Sequence, residues 1–250
     1  MPGYSRERQI AEQAARDAAM FIGAHAGGLG AAAVRDKGTH DLVTFVDEEA
    51  ERRILARLRE AFPDDAFLAE ESAGAPSAAA RRRWIVDPLD GTTNFAHGVP
   101  PYAVSVALED AGQVVVGVVL EVSSGELFSA ARGAGLTRNG MPARVSDARS
   151  LDAALLATGF PFRDYRYVDG YLRAFEGAIR ATRGVRRHGA AAVDLAWTAC
   201  GRFDGFFEAG LAPWDVAAGV LLVEEGGGRV SSLVPGGDPV HDGALVASGP

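Results

Sequence analysis

Trp84-Ile85-Val86-Asp87-Pro88-Leu89-Asp90-Gly91-Thr92-Thr93-Asn94-Phe95 is the stretch around which the chain is organised. Its apolar opening, Trp84-Ile85-Val86, has the character of a buried strand. The run leads directly into two aspartates three residues apart, Asp87 and Asp90. Pro88 between them fixes φ and lacks an N–H, so the strand is expected to end there. Gly91 and Thr92 suit a loop that opens a short helix. Two carboxylates at the end of a buried strand are costly unless something cationic meets them. Hard oxygen ligands beside a helix N-terminus suit Mg²⁺ together with a phosphate. Asp-Pro-x-Asp-Gly is also ordinary turn chemistry, so the motif alone leaves both readings open.

The chain has 250 residues, 48% hydrophobic and 23% charged, enough apolar content for a full core in one large or two small domains. Its net charge of −8 argues against a general nucleic-acid or anionic-membrane binder, although a local basic patch is compatible with it. Cys200 is the only cysteine, which rules out an internal disulfide and fits a reducing cytoplasm. Apolar neighbours mark it as a core thiol. The start, Met1-Pro2-Gly3-Tyr4, turns polar with no h-region or cleavage pattern, and no apolar run is long enough to span a membrane. A cytoplasmic protein without membrane association is expected.

Ile10, Ala14, Ala18, Phe21 and Ile22 have helical spacing, stopped by Gly27-Gly28. Thr44 and Asp47 read as a capping-box variant. They open a second helix lined by Val46, Ala50, Ile54, Leu58 and Phe62. Taken alone, simple capping explains this pair. Ala66 to Ala69 reads as a short strand ending in Glu70-Glu71-Ser72. An Ala/Ser/Pro stretch follows, then Arg81-Arg82-Arg83, which reads as a solvated loop face. Past the central motif, alternation at Tyr102, Val104, Val106 and Leu108, the run Val114 to Val122 and the hairpin signal Asn139-Gly140 predict an antiparallel sheet. The second half alternates strands and helices, which implies a second α/β layer. Strands are expected at Ala154–Ala157, Asp204–Glu208 and Ala244–Ala247. Helices are expected over Tyr165–Ala181, Ala190–Gly201 and Trp214–Glu225. Two parts are expected, residues 1–150 with most of the acidic motifs and residues 151–250 completing the site, sharing one interface.

Acids recur where apolar strands end or a helix opens: Glu70 and Glu71, Asp87 and Asp90, and Asp215. The helix dipole alone explains Asp215. If all five converge, repulsion demands cations, and two or three divalent ions among carboxylates are a standard arrangement for attack of water on a phosphate ester.

With these residues in place, the sequence resembles the inositol monophosphatases, in particular their bacterial branch. Trp84 to Phe95 looks like that family's first signature. Trp214-Asp215-Val216-Ala217-Ala218-Gly219 with Glu224-Glu225-Gly226-Gly227 looks like its second. Asp41-Leu42-Val43-Thr44 with Asp47, and Glu70-Glu71-Ser72, match two smaller motifs in the right order. Thr158 to Phe162 and Gly201 to Glu208 resemble the bacterial members.

The resemblance implies an α/β fold, α+β layered, the αβαβα sandwich shared with fructose-1,6-bisphosphatase. It implies two or three Mg²⁺ ions. Asp87 would bridge two of them, Glu70 and the Leu89 carbonyl would complete one site, and Asp90 and Asp215 would hold the second. Thr92 and Glu70 would orient the attacking water, with Thr44 and Asp47 supporting Thr92. The amides of Gly91 and Thr92 would hold phosphate oxygens. Glu208, Asp90 and the amide near Ala191 would meet a polyol. The activity implied is hydrolysis of a small polyol or sugar phosphate, foremost myo-inositol 1-phosphate, by a Li⁺-sensitive homodimer. Similar motifs also occur in phosphatases of histidinol phosphate, fructose 1,6-bisphosphate and nucleotide 3′-phosphates, and some bacterial members act in transcription by contacting RNA or polymerase. The acidic balance counts against direct RNA binding. Three positions depart from the family pattern. Ala69 stands where Gly is common, and Ala190 stands where a hydroxyl beside the substrate is expected. The sequence ends at Pro250, where the family usually adds a helix.

Overall fold

The computed structural model describes residues 3–27, 34–38, 41–72, 80–162 and 165–250, with 34–38 and 41–43 given by their backbone alone. Gly28, the Ala/Ser/Pro stretch at 73–79 and part of the 37–41 loop lie outside the described residues.

Helix α1 (Ser5–His25) is followed by a small hairpin, β1 (Val34–Gly38) and β2 (Asp41–Thr44), and by α2 (Phe45–Ala61). The hairpin was not expected from the sequence, where Asp41 to Thr44 read only as a lead into a cap. Ala14, Ala18 and Ile22 of α1 and Val46, Ala50, Ile54 and Leu58 of α2 are buried, the faces that their helical spacing marks. Both helices cover one face of a seven-stranded sheet. Its strands pair in chain order: β3 (Ala66–Ala69), β4 (Arg82–Asp90), β5 (Ala103–Asp110), β6 (Gln113–Glu121), β7 (Glu126–Ala131), β8 (Leu136–Arg138) and β9 (Met141–Pro142). All pairs are antiparallel except β3 with β4. A short helix, α3 (Thr92–Ala96), follows β4.

The second half supplies β10 (Leu155–Thr158), α4 (Val168–Ala181), β11 (Gly184–Arg186), α5 (Ala191–Ala199), β12 (Gly205–Ala209), α6 (Pro213–Glu225), β13 (Arg229–Ser232) and β14 (Ala244–Ser248). Its mixed sheet has the order β11-β10-β12-β14-β13. Helices α5 and α6 are buried between the two sheets, and α4 packs outside against β11. The layers therefore run α, β, α, β, α. No helix among the described residues is long and apolar enough to cross a membrane.

Two local expectations are corrected. Strand β4 does not stop at Pro88 but continues to Asp90. Asp87 pairs with Ser105 and Asp90 with Ala103, so three steps on β4 match two on β5. One extra residue makes this a β-bulge, one of the few places a sheet accepts proline. The basic triplet is not a solvated loop either. Arg82 and Arg83 begin β4 and are partly buried, Arg82 paired with Glu7 and Asp65 and Arg83 with Glu109. Only Arg81 is exposed, and it too meets an acid, Asp110. Strands β11 and β13 were not expected, being short segments without period-2 alternation. Cys200 is half-buried at the C-cap of α5.

The layers meet closely at Gly117 of β6. A Cβ there would lie 2.7 Å from the Ala218 carbonyl oxygen and 3.2 Å from its Cα, on α6. Backbone cannot yield as a side chain tip can. Gly117→Ala is therefore expected to lower unfolding free energy by about 1–3 kcal/mol, read by urea denaturation. Unchanged or increased stability would show that α6 shifts freely over the sheet.

Candidate active site

A cleft of about 430 Å³ opens where β4 ends, with residues of both halves in its walls. In a regular strand, residues three apart face opposite sides. The bulge at Pro88 reverses that parity for Asp90, so both aspartates reach one place. There they meet Asp215. Carboxylate oxygens of Asp87, Asp90 and Asp215 lie within 4.8 Å of one another, all three side chains buried. Glu70, at the end of β3, lines the same cleft.

Helix N-termini converge on this cluster. Ala190 is the N-cap of α5 and has no side-chain oxygen to satisfy the first amides. Asp90 does this from across the cleft, its Oδ2 accepting the Ala192 N–H at 2.8 Å. Asp215 is the third residue of α6 and accepts the Ala212 N–H at 2.7 Å, the return arm of a capping box. Asp87 Oδ1 accepts the Leu89 N–H at 3.0 Å. At α2, Thr44 Oγ1 accepts the Val46 N–H, while Asp47 Oδ2 accepts from both the Thr44 N–H and the Thr44 hydroxyl. The other oxygen of Asp47 accepts the Thr92 hydroxyl at 2.8 Å, so one capped helix start reaches the next. Gly91 precedes α3 with φ of 86°, a left-handed conformation suited to glycine. Asn94 in α3 donates to the carbonyls of Pro101 and His188, which ties α3 to the loop before α5.

The electrostatics follow from this crowding. Burial, then the charges of Glu70, Asp90 and Asp215, push Asp87 well above its ordinary value. Burial, then Asp215, does the same to Asp90, against the Ala192 amide. Glu208 on β12 is raised by burial and by Asp194, Asp215 and Asp90, with Arg187 opposing. Asp47 is raised by burial against its hydrogen-bond donors. Asp194 reaches about 6 through burial, tempered by its 2.7 Å contact with His188 Nδ1.

Of the site residues expected from the sequence, Glu70, Asp87, Leu89, Asp90, Gly91, Thr92, Ala191, Glu208 and Asp215 line the cleft. Thr44 and Asp47 stand fully buried behind Thr92. Ala190 does not sit beside the cleft as expected. It is 2% exposed and packs against Gly91, a Cβ on which would lie 3.3 Å from its own. A hydroxyl at this N-cap position would be placed to accept from the first amides of α5. Phe160, Phe162, Arg187 and Gly189 also line the cleft and were not singled out as site residues. They arrive on loops of the second half, where spacing carries no signal. Arg187 lies over both phenylalanine rings, 5.4 Å from each centroid.

The donor set fits hard divalent cations. All its atoms are carboxylate oxygens, three converge while buried, and burial with neighbouring acidic charge raises Asp87 and Asp90, the strain that a bound cation relieves.

The same repulsion predicts how the metal-free protein responds to pH. A carboxylate raised above its ordinary 3.8 in the fold holds a proton that the unfolded chain releases, so its contribution to stability is lost as pH rises above that value. In chelator at neutral pH, Asp87→Asn should therefore raise Tm, with about 2–4 °C expected per kcal/mol recovered, and this gain should vanish near pH 3.8. Calorimetry showing a lower Tm for the variant at neutral pH would refute the charge account.

The model for the inositol monophosphatase family matches residues 4–250. The Nus factor SuhB of Pseudomonas aeruginosa is 46% identical over 242 residues, covering 95% of this chain and 89% of that protein. The Nus factor SuhB of Escherichia coli is 43% identical over 241 residues, covering 96% and 90%. The solved structure of extragenic suppressor protein SuhB from Bartonella henselae matches with a TM-score of 0.90 at 40% identity, covering 98% and 94%. That of the inositol monophosphatase of Anabaena matches at 0.84 and 38%, covering 97% and 90%. With a family match along nearly its whole length and relatives at these identities, the chain belongs to the inositol monophosphatase family.

Proposed function

We propose that this chain is a Mg²⁺-dependent phosphatase of small polyol or sugar phosphates, with myo-inositol 1-phosphate the foremost substrate. The observation that carries the reading is the convergence of Asp87, Asp90 and Asp215 in a cleft that Glu70 and Thr92 also line. Asp87, Glu70 and the Leu89 carbonyl would hold one ion, with Asp90 and Asp215 holding a second and Glu70 reaching a weaker third. When bound, these ions supply the positive charge that activates water and neutralises phosphate oxygens.

The chain's own groups do the rest. Thr92 has one hydroxyl proton, and Asp47 is the charged acceptor nearest to it, with the Leu89 carbonyl as alternative at 3.0 Å. Donation to Asp47 leaves the Thr92 oxygen as an acceptor, so it orients a water by taking one of its protons in a hydrogen bond. Glu70 accepts from the same water. The amides of Gly91 and Thr92, at the start of α3, hold phosphate oxygens. Asp90, Glu208 and the Ala191 amide bind the polyol hydroxyls.

Phosphate release from a panel of phosphate esters with Mg²⁺ tests the reading. Asp87→Asn should lower kcat by at least about 10³-fold, and a variant of full activity would sink the assignment. Glu208 has its own test. A Cβ on Gly159 would fall 1.9 Å from Glu208 Oε1, so Gly159→Ala must displace that carboxylate. KM for polyol phosphates should rise about tenfold, the loss of one charged hydrogen bond, with kcat less affected. An unchanged KM would remove Glu208 from the polyol pocket.

The name of the Pseudomonas aeruginosa and Escherichia coli relatives, Nus factor SuhB, favours a second reading, a binding role in transcription alongside hydrolysis or in its place. We further propose a homodimer. Phe160, Tyr165, Leu172 and Ile179 expose apolar surface on and before α4, which a second copy would cover. Light scattering at micromolar concentration should give twice the chain mass, and a monomer would count against the dimer.

A further inference from the structure

We infer that Glu51 is a positioning residue that holds the Glu70–Glu71 segment, and with it the Glu70 carboxylate, against the Asp87 cluster. Glu51 lies among buried apolar positions of α2, beside Ala50, Ile54 and Leu55, and is 3% exposed. A carboxylate there is costly unless hydrogen-bonded, and an apolar side chain of similar volume would pack without that cost. Its Oε2 accepts the Glu71 N–H at 2.7 Å. The preceding amide, that of Glu70, donates to the Val86 carbonyl at 3.2 Å, immediately before Asp87. Both amides of the segment are thus fixed, one to β4 and one to α2. The tether matters here because, among the described residues, β3 is an edge strand paired with β4 alone.

Glu51 stands four residues after Asp47, one turn further along the same helix face. Asp47 fixes Thr92, and Glu51 fixes the residue after Glu70. One rigid helix therefore sets the spacing between the two groups proposed to orient the water. Groups that orient ligands from behind typically change metal affinity by 10- to 100-fold when removed.

The inference rests on the metal-site reading of the cleft, and its test separates the two. Mn²⁺ is titrated into the full chain, the free ion is counted by electron paramagnetic resonance, and exchange of the Glu71 amide is followed by NMR. Glu51→Met keeps volume and helix propensity but removes the acceptor, and Glu51→Gln keeps an acceptor without the charge. The Met variant should bind Mn²⁺ about 10- to 100-fold more weakly and exchange its Glu71 amide quickly, whereas the Gln variant should stay close to wild type in both. Wild-type affinity in the Met variant, or equal losses in both variants, would overturn the positioning role. If the Met variant does not fold, the wild type and Gln variant decide, since an unprotected Glu71 amide in either overturns it. A wild type that binds no Mn²⁺ would instead refute the metal reading, and Glu71 exchange would still report whether Glu51 holds the segment.

Discussion

Asp87, Asp90 and Asp215 crowd their carboxylates within 4.8 Å of one another, out of water, and much of the fold serves to make that arrangement tolerable. Like charges at this distance repel strongly in a low-dielectric interior. The protein's answer is to aim helix starts at them. Asp90 receives an amide from α5, Asp215 sits within the first turn of α6, and Asp47 caps the start of α2 while holding the Thr that opens α3. The dipole of a helix start and its unpaired amides both favour negative charge. This is why α5 and α6 lie between the sheets with their N-termini at the cleft, and why the cleft draws on both halves of the chain.

Much of this was legible in the sequence, for local reasons. Asp87, Asp90, Asp215 and Thr92 each stand where an apolar segment meets a turn or a helix start, and such junctions are marked by a few adjacent residues. Thr44 and Asp47 were legible as a cap, and the cap is real. That the same Asp47 also reaches Thr92, 45 residues away, is invisible to local spacing. An antiparallel sheet in the first half and a second α/β layer could be read from apolar runs and helical periodicity, whereas the order of the layers came from the family resemblance. Short strands such as β11, which take their pairing from neighbours, left no such trace.

The errors share a cause. Proline read alone predicts that a strand stops, yet β4 continues because β5 offers a register with one residue to spare. Three arginines read alone predict a solvated face, yet their partners Glu7, Asp65, Glu109 and Asp110 lie 17 to 75 residues away. At Ala190 the side-chain cap that α5 lacks is supplied by Asp90, far away in sequence. In each case the deciding partner is remote. Glu51 differs, since a charged residue one turn after Asp47 on an apolar face was there to be noticed.

The acidic field reaches beyond the cluster. Glu208 is raised by burial together with Asp194, Asp215 and Asp90, so that end of the cleft is already short of positive charge. Asp194, in turn, leans on His188 behind it. Arg187 is the one cationic residue lining the cleft among the described residues, and its guanidinium lies over Phe160 and Phe162. Stacking of that kind contributes to holding a guanidinium in place, so Arg187 opposes the field without cancelling it. Among the described residues five acidic side chains, Glu70, Asp87, Asp90, Glu208 and Asp215, line the same cleft, so acidic groups outnumber basic ones in its walls.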